Sequence, residues 1–326
     1  MINIEEEILR LIMDADDYIS GESVADRLSI SRSAVWKHIR KMRREGFRID
    51  ANPRSGYRLV SCPDILKPVL IKNNLNTNLF GNDIVYYIKT ESTNTIANNL
   101  AIDGAEEGTV VIAEEQTKGR GRLDRSWLSP AYKNILMSVI FRPNIEPLKV
   151  FNLTMLSSLS VVKAIESTTN IKAQIKWPND VYIENKKVGG ILTELNAEQD
   201  RINFAIVGIG LNVNFDSSRY SEIKDIATSI SNVAGRPVSR ISLLQSVLQE
   251  LEESYKLLKA GKVDLIRRDW NKHSLVIGKP VRIISFDKIE EGIAESVDGD
   301  GCLILRDNMG KRKKILSGDV SLRLKE

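Results

Sequence analysis

The chain of 326 residues contains only two cysteines and two histidines. Cys62, Cys302, His38 and His273 stand apart from one another, and no CxxC, HExxH or HxE spacing occurs. Structural zinc sites, zinc hydrolases, thiol redox centres and Ser-His-Asp hydrolases all draw on these residue types, so none of them is expected. The cysteine count also excludes a disulfide framework and suits a reducing cytoplasm. Long apolar runs are missing too: the richest segment, Val150 to Ile165, is broken by Asn152, several hydroxyl side chains and Lys163. The N-terminal residues Met1 to Glu7 are acidic where a secretory signal is basic. A cytoplasmic protein without a membrane segment is expected.

With 42% hydrophobic and 28% charged residues the chain has the composition of a globular protein, and its length suggests two domains or three small ones. The formal net charge of +4 is nearly balanced but unevenly spread. Residues 1–26 carry eight acids against Arg10, whereas residues 27–58 carry ten bases against Glu45 and Asp50. So local an excess of positive charge is the footprint of a nucleic-acid contact.

That segment reads as helix, turn, helix, then hairpin. A helix is predicted from Ile4 to about Asp14, a second from the Ser20–Ser23 region through Leu28, and a third after Ser31, a good N-cap, to about Arg44. On the third, Val35, Ile39 and Met42 share one face while Ser33, Lys37, Arg40 and Arg44 share the other. Phe47 to Asp50 and Tyr57 to Val60 alternate around an Asn52-Pro53-Arg54-Ser55-Gly56 turn. This is the layout of a winged helix-turn-helix, with Arg32, Ser33, Lys37, Arg40, Arg44 and Arg54 available to DNA. A protein-interaction module accounts for the same pattern with those residues merely solvated.

A boundary is expected at Ser61 to Pro68, where two prolines follow the wing. Beyond it strands are predicted at Ile84–Ile88, Thr109–Ala113, Ile135–Phe141, Ile171–Lys176, Val188–Glu194 and Ile202–Val207. Helices are predicted at Thr93–Ile102, Leu148–Ser167 and Ile241–Lys259. From about Leu275 short β runs separated by Asp-Gly and Asn-Met-Gly turns suggest a small β-barrel. The expected domains are therefore 1–64, 65–272 and 273–326.

Four segments of the middle region can carry chemistry. In Gln116 to Trp127, Gly119 and Gly121 alternate with Arg120 and Arg122, so the backbone can approach an anionic phosphate ester bracketed by guanidinium groups. The segment is neither a P-loop nor a GxGxxG turn, and a solvated basic loop or an arginine–glycine nucleic-acid contact fits it equally. Lys176-Trp177-Pro178-Asn179-Asp180 follows a predicted strand and precedes Lys187-Val188-Gly189-Gly190, placing Asn179, Asp180 and Lys187 at one rim of a sheet; an ordinary hairpin is the plainer reading. Gly208 and Gly210 interrupt a buried strand ending at Asn212, where tight strand packing would explain them. Ser92, Thr93 and Asn94 sit at a strand-to-helix junction, where an N-cap suffices.

Together, in this order and approximate spacing, these four segments resemble the biotin protein ligases. With the winged helix ahead of them the chain resembles the bifunctional form of that family, which is both ligase and biotin operon repressor. The resemblance spans the whole chain and is most specific at Lys176–Asp180 and Gly119–Arg122. It implies an α+β multidomain fold: a winged helix-turn-helix, a central mixed α/β ligase domain with a class II synthetase-like sheet, and a C-terminal SH3-like β-barrel. It further implies a biotin–[acetyl-CoA-carboxylase] ligase that forms biotinyl-5′-AMP from biotin and ATP with Mg²⁺. Biotin would then pass to a lysine of the biotin carboxyl carrier protein, and the adenylate would serve as corepressor of biotin biosynthesis genes at operator DNA, bound by a ligand-promoted homodimer.

Carried over from the family, Ser92, Thr93, Asn94 and Gln116 would meet the biotin head group, and Gly119, Arg120, Gly121, Arg122 and Gly190 would close around biotin and the acyl phosphate. Lys187 would bridge carboxyl and α-phosphate as the main electrostatic catalyst, with Arg122, Lys176 and Asp180 beside it. Asp180 is assigned either to Mg²⁺ or to orienting the acceptor lysine. Trp127, Asn179 and Asn212 would line the ATP side. Leu123 and Asp124 depart from the small or basic residues of many relatives, which lowers the charge of the loop. No protein-bound metal site is expected. A lipoate ligase or octanoyl transferase of the same fold competes with this reading, but Cys62 and Cys302 lie far from the motifs and such transferases use a cysteine thioester. A ligand-sensing repressor without catalysis is opposed by the intact Lys187 and Arg122.

Overall fold

The computed structural model describes residues 4–199, 201–285, 288–316 and 318–322. Helices form where the caps and apolar spacing place them: α1 (Ile4–Met13), α2 (Gly21–Leu28) and α3 (Arg32–Arg44). Ser20 Oγ accepts from Ser23 N–H at 3.0 Å and Ser31 Oγ from Ala34 N–H at 3.1 Å, each satisfying an otherwise orphaned helix donor. Ile8, Leu9, Ile12, Val24, Val35, Ile39 and Met42 pack together out of water. Each such side chain contributes about 1.5–3 kcal/mol of burial. The hairpin of β1 (Arg48–Asn52) and β2 (Gly56–Ser61) is clamped to the start of α2 by reciprocal backbone bonds between Ile19 and Tyr57 at 2.9 and 2.8 Å. Gly56 has φ +104°, and a Cβ there would lie 2.0 Å from the Ile19 carbonyl oxygen, so only glycine fits this corner.

Contacts divide the chain into two units, residues 1–73 and 74–326. The short helix α4 (Pro68–Lys72) thus goes with the first unit, past the expected break at residue 64. Lys67 pairs with Glu5 at 2.8 Å and Glu45 at 2.6 Å, tying the linker to α1 and the end of α3, and Val69, Leu70 and Ile71 of α4 are buried.

The second unit is built on a mixed seven-stranded sheet of order β3-β4-β5-β9-β8-β7-β6. Its strands are β3 (Ile84–Thr90), β4 (Val110–Gln116), β5 (Ile135–Phe141), β6 (Gln174–Lys176), β7 (Asp180–Ile183), β8 (Lys186–Ala197) and β9 (Ile202–Leu211). Only β3 and β4 run parallel, because α5 (Thr93–Ile102) crosses over between them. Ala97 and Ala101 of α5 pack on Val111, Ile140 and Ile206, on the sheet face that also carries Ser138 and Gly208. The opposite face is covered by α6 (Phe151–Thr169), whose Thr154 hydroxyl meets that of Thr193 at 2.7 Å. This helix is long and apolar enough to cross a membrane, yet thirteen of its 19 residues are buried in the core. The short helix α7 (Ile230–Ala234) follows β9, and α8 (Arg240–Lys259) and α9 (Val263–Lys272) pack against α6.

Some predicted elements shift. The strand expected from Ile171 is confined to Gln174–Lys176, while β9 runs on to Leu211. Helix α9 was not anticipated, although Ile266 and Trp270 have helical spacing and are buried. The terminal strands β10 (Pro280–Ser285), β11 (Lys288–Val297), β12 (Leu303–Arg306), β13 (Arg312–Ile315) and β14 (Asp319–Leu322) form one antiparallel sheet of order β13-β12-β11-β10-β14. This sheet belongs to the second unit: Ile175 exchanges backbone bonds with His273 and Leu275, and Trp177 Nε1–H donates to the Gly301 carbonyl at 3.0 Å.

Candidate active site and nucleic-acid interface

Strand β9 acts as a ruler for the site. Direct pairing places Ser138, Gly208 and Leu192 in one row across the sheet and Leu136, Gly210, Gly190 and Asp180 in the next. A Cβ on Gly208 would lie 2.2 Å from Asn94 Oδ1, and one on Gly210 would lie 2.8 Å from the Trp127 ring. The two glycines therefore clear room for side chains lying on the sheet, and both also line the cleft above it. Asn94 and Trp127 sit two residues apart along β9, roughly 7 Å, with Asn212 beyond its end.

Above these rows opens a cleft of about 410 Å³. Of the residues expected in the ligase site, Ser92, Thr93, Asn94, Gln116, Arg120, Gly121, Arg122, Trp127, Lys176, Asn179, Asp180, Lys187, Gly190 and Asn212 all line it. Gly119 does not, because its own loop uses it: Trp127 N–H donates to the Gly119 carbonyl at 2.9 Å, and a Cβ would stand 2.7 Å from the Trp127 carbonyl.

At one end Ser92 takes the N-cap position of α5 without a side-chain capping bond, leaving the hydroxyl to the cleft. Gln116 Oε1 accepts from Thr93 N–H at 2.7 Å and from the Thr93 hydroxyl at 3.0 Å. Ser138 Oγ lies 2.7 Å from Thr93 Oγ1 and 2.6 Å from Asn94 Oδ1. In the middle, Lys187 Nζ pairs with Asp180 Oδ1 at 2.7 Å and stands 5.4 Å from the centre of the Trp127 ring. The Lys187 backbone is held by Ile226 and Thr228. Arg122 Nη1 donates to Asn179 Oδ1 at 3.3 Å, and Asn179 exchanges bonds with Ile191, so the loop is tied to the β6–β7 turn. Lys176 lies over the Tyr182 ring with Nζ 3.2 Å from its hydroxyl. At the far end Asn212 donates to the Thr228 carbonyl at 3.2 Å, and the buried Trp127 Nε1–H has no hydrogen-bond partner among the described residues.

Sequence reasoning missed Ser138, Tyr182, Glu194 and Arg125. A hydroxyl inside the otherwise apolar β5 and the single acid of β8 were the available signals for Ser138 and Glu194. It also missed Arg240 and Glu114, a fully buried ion pair at 2.6 Å that braces α8 against β4. Cys62 and Cys302 do not line the cleft, and burial pushes the Cys302 thiol up, away from the nucleophilic thiolate.

In the first unit Arg32, Ser33, Lys37, Arg40, Arg44 and Arg54 are all exposed, on α3 and on the wing. Trp36, unexpected there, is 49% exposed and carries the Arg40 guanidinium 4.6 Å from its ring centre.

Residues 86–212 match the Biotin/lipoate A/B protein ligase family, residues 5–58 an HTH domain, and residues 276–323 the Biotin protein ligase C terminal domain. The chain is 39% identical over 321 residues to the bifunctional ligase/repressor BirA of Bacillus subtilis, covering 98% of both chains. It is 31% identical over 268 residues to the biotin–[acetyl-CoA-carboxylase] ligase of Mycobacterium tuberculosis, covering 79% of this chain and 97% of that one. The solved biotin protein ligase of Aquifex aeolicus, in complex with biotin and ATP, superposes with a TM-score of 0.64 at 32% identity, covering 74% of this chain and 99% of that one. With a ligase cleft, a helix-turn-helix unit and full-length similarity, the chain belongs to the bifunctional biotin protein ligase/repressor family.

Proposed function

We propose that the chain condenses biotin with ATP to biotinyl-5′-AMP, transfers biotin to a lysine of a biotin carboxyl carrier protein, and represses transcription through its helix-turn-helix unit. The observation that carries the ligase reading is the row geometry, with Asn94 over Gly208, Trp127 over Gly210, and Lys187 with Asp180 between the head-group pocket and Asn212. In this assignment the polar cluster of Ser92, Thr93, Asn94 and Gln116 takes the ureido ring, whose donors and acceptor need partners once water is excluded. Trp127 and Asn212 take the nucleotide.

The biotin carboxylate attacks the α-phosphorus, forming the acyl–phosphate bond as the bond to pyrophosphate breaks. The carrier lysine amine then attacks the acyl carbon and AMP leaves. Neither step needs a protein nucleophile, which agrees with a cleft lined without cysteine or histidine. What the protein supplies is position and positive charge: Lys187 faces the charge growing on the phosphoryl oxygens, and Arg122 closes the loop over it. Mg²⁺ fits as a cation arriving on the nucleotide, since it is typically held by one or two carboxylates plus phosphates. Among the described residues Asp180 is the one carboxylate lining the cleft, and no group of three metal-binding side chains occurs. Bound there, the ion would neutralise the departing pyrophosphate.

For the helix-turn-helix unit the reading is operator binding by a homodimer that the adenylate promotes, because one recognition helix reads one half-site. The protein would work in the cytoplasm, where its operator and carrier are found. Biotin-dependent exchange between ATP and pyrophosphate, compared with lipoate, tests the ligase. Exchange with lipoate alone, or none at all, would sink it. A gel shift on the promoter of biotin-biosynthesis genes, with and without biotin and ATP, tests the repressor.

A further inference from the structure

Beside the head-group end of the cleft, bonded to the lining residues Asn94 and Arg120, lies a carboxylate to which the reaction assigns no task. Glu194 is the single acid of β8 and points to the same sheet face as Gly190 and Leu192. Its Oε2 accepts from Asn94 Nδ2 at 2.7 Å, and its Oε1 accepts from Arg120 Nη2 at 3.2 Å. The two partners differ in kind. Asn94 is buried, 5% exposed, and held from its other side by Ser138. The Arg120 side chain is 46% exposed and belongs to the Gly119–Trp127 loop. Asn94 and Arg120 make no hydrogen bond to each other among the described residues, so Glu194 is the link between them.

We infer that Glu194 couples occupation of the head-group pocket to closure of the Gly119–Trp127 loop, as a positioning residue. The inference rests on the ligase reading of the cleft. An exposed arginine–carboxylate pair by itself returns little, because two long side chains lose their rotamer freedom for one screened contact. Here one half of that cost is already met when Asn94 holds the carboxylate in place. A head group seated against Asn94 fixes its amide, the amide fixes Glu194, and Arg120 then finds a preset acceptor. Without the carboxylate of Glu194 the loop loses this anchor to the head-group pocket. The loop is therefore biased to close over a seated biotinyl group, which keeps a reactive adenylate from leaving before the acceptor lysine arrives.

The test uses the full chain and a biotinyl adenylate whose phosphate is replaced by a sulfamoyl group, so that release is read without chemistry. Asn94→Ala, Arg120→Ala and the double variant are compared in the wild-type and Glu194→Gln backgrounds; glutamine keeps the shape and an acceptor for Asn94 but removes the charge facing Arg120. Glu194→Gln should release the analogue about tenfold faster and raise the KM for biotin, with the KM for ATP held within about twofold. With Glu194 present, the effects of the Asn94 and Arg120 variants should deviate from multiplicativity by about three- to tenfold, and in Glu194→Gln they should multiply independently. Thermal melts that match wild type establish that these are changes of binding in a folded chain. If Glu194→Gln releases the analogue at the wild-type rate, or the two effects stay coupled without the carboxylate, the inference is wrong while the ligase reading stands. A wild-type chain without biotin-dependent pyrophosphate exchange would sink both.

Discussion

Lys187 and Asp180 meet at 2.7 Å in a cleft where both are about a quarter to a third exposed, so water is thinned but not absent. In the proposed reaction a cation held there by its own backbone strand and a carboxylate would need no reorganisation as negative charge develops on the phosphoryl group. Lys187→Ala should lower adenylation about a hundred- to a thousandfold, or ~3–4 kcal/mol, in biotin-dependent pyrophosphate exchange. A loss below tenfold would take that role away. In the proposed function Arg122 would act differently, because its contact to Asn179 at 3.3 Å joins the loop to the β6–β7 turn. Arg122→Gly should still form adenylate but let it escape, labelling lysines of a bystander protein such as serum albumin. A variant that stays active and labels only the carrier would contradict the closure role.

At the scale of elements, the site depends on strands that give up side chains and on helices tied down at their ends. Ser138, Gly208 and Leu192 share a row only because β5, β9 and β8 pair in that register, and a slip of one residue would turn the glycines away from Asn94 and Trp127. The entry to β3 is held by Glu252 of α8, whose carboxylate accepts from the N–H groups of Asn78 and Leu79 at 2.9 Å. Burial alone would raise this carboxyl, but the Asn78, Leu79 and Phe80 amides and Lys256 outweigh it and hold it below the ordinary carboxylate value. A depressed folded pKa stabilises above the unfolded value and is lost as pH falls through the folded one. Glu252→Gln should therefore cost about 1–3 kcal/mol in urea unfolding at pH 7. The gap between variant and wild type should shrink steadily below about pH 4. A gap that does not change between pH 7 and pH 3 would show that charge is not the source.

For the whole molecule, the helix-turn-helix unit concentrates ten bases between residues 27 and 58, of which Lys37, Arg40 and Arg44 stand on α3 opposite its buried face. Arg40, held on Trp36, suits base recognition, whereas Arg54 on the wing suits a phosphate. Arg40→Ala should relax preference at one base pair by ~1–3 kcal/mol, while Arg54→Ala should weaken all sequences alike and reduce the slope of log affinity against log salt by about one. Fluorescence anisotropy over a salt series on matched and mutated duplexes separates the two. Equal loss on every duplex for Arg40→Ala would reassign it to the backbone.

Much of this was legible in the chain because it is local. The Ser20 and Ser31 caps, the 3.6-residue spacing of Val35, Ile39 and Met42, and the turn at Asn52–Gly56 act over a few residues, so sequence alone determined the winged helix. Motif order likewise placed Thr93, Arg122, Asp180 and Lys187 in one kind of site. What sequence left open was whatever depends on partners distant in the chain. That Gly208 and Gly210 make room for Asn94 and Trp127 and also line the cleft, and that Gly119 packs against its own loop, became visible only in the tertiary structure. Ser138 and Glu194 gain meaning only through residues 44 and 100 positions away in sequence. The terminal sheet joined the ligase unit through bonds such as Trp177 to Gly301. Caps, turns and amphipathic faces are short-range physics written in neighbouring residues, whereas a cleft is made by the register of strands from remote parts of the chain, and that register exists only once the sheet has formed.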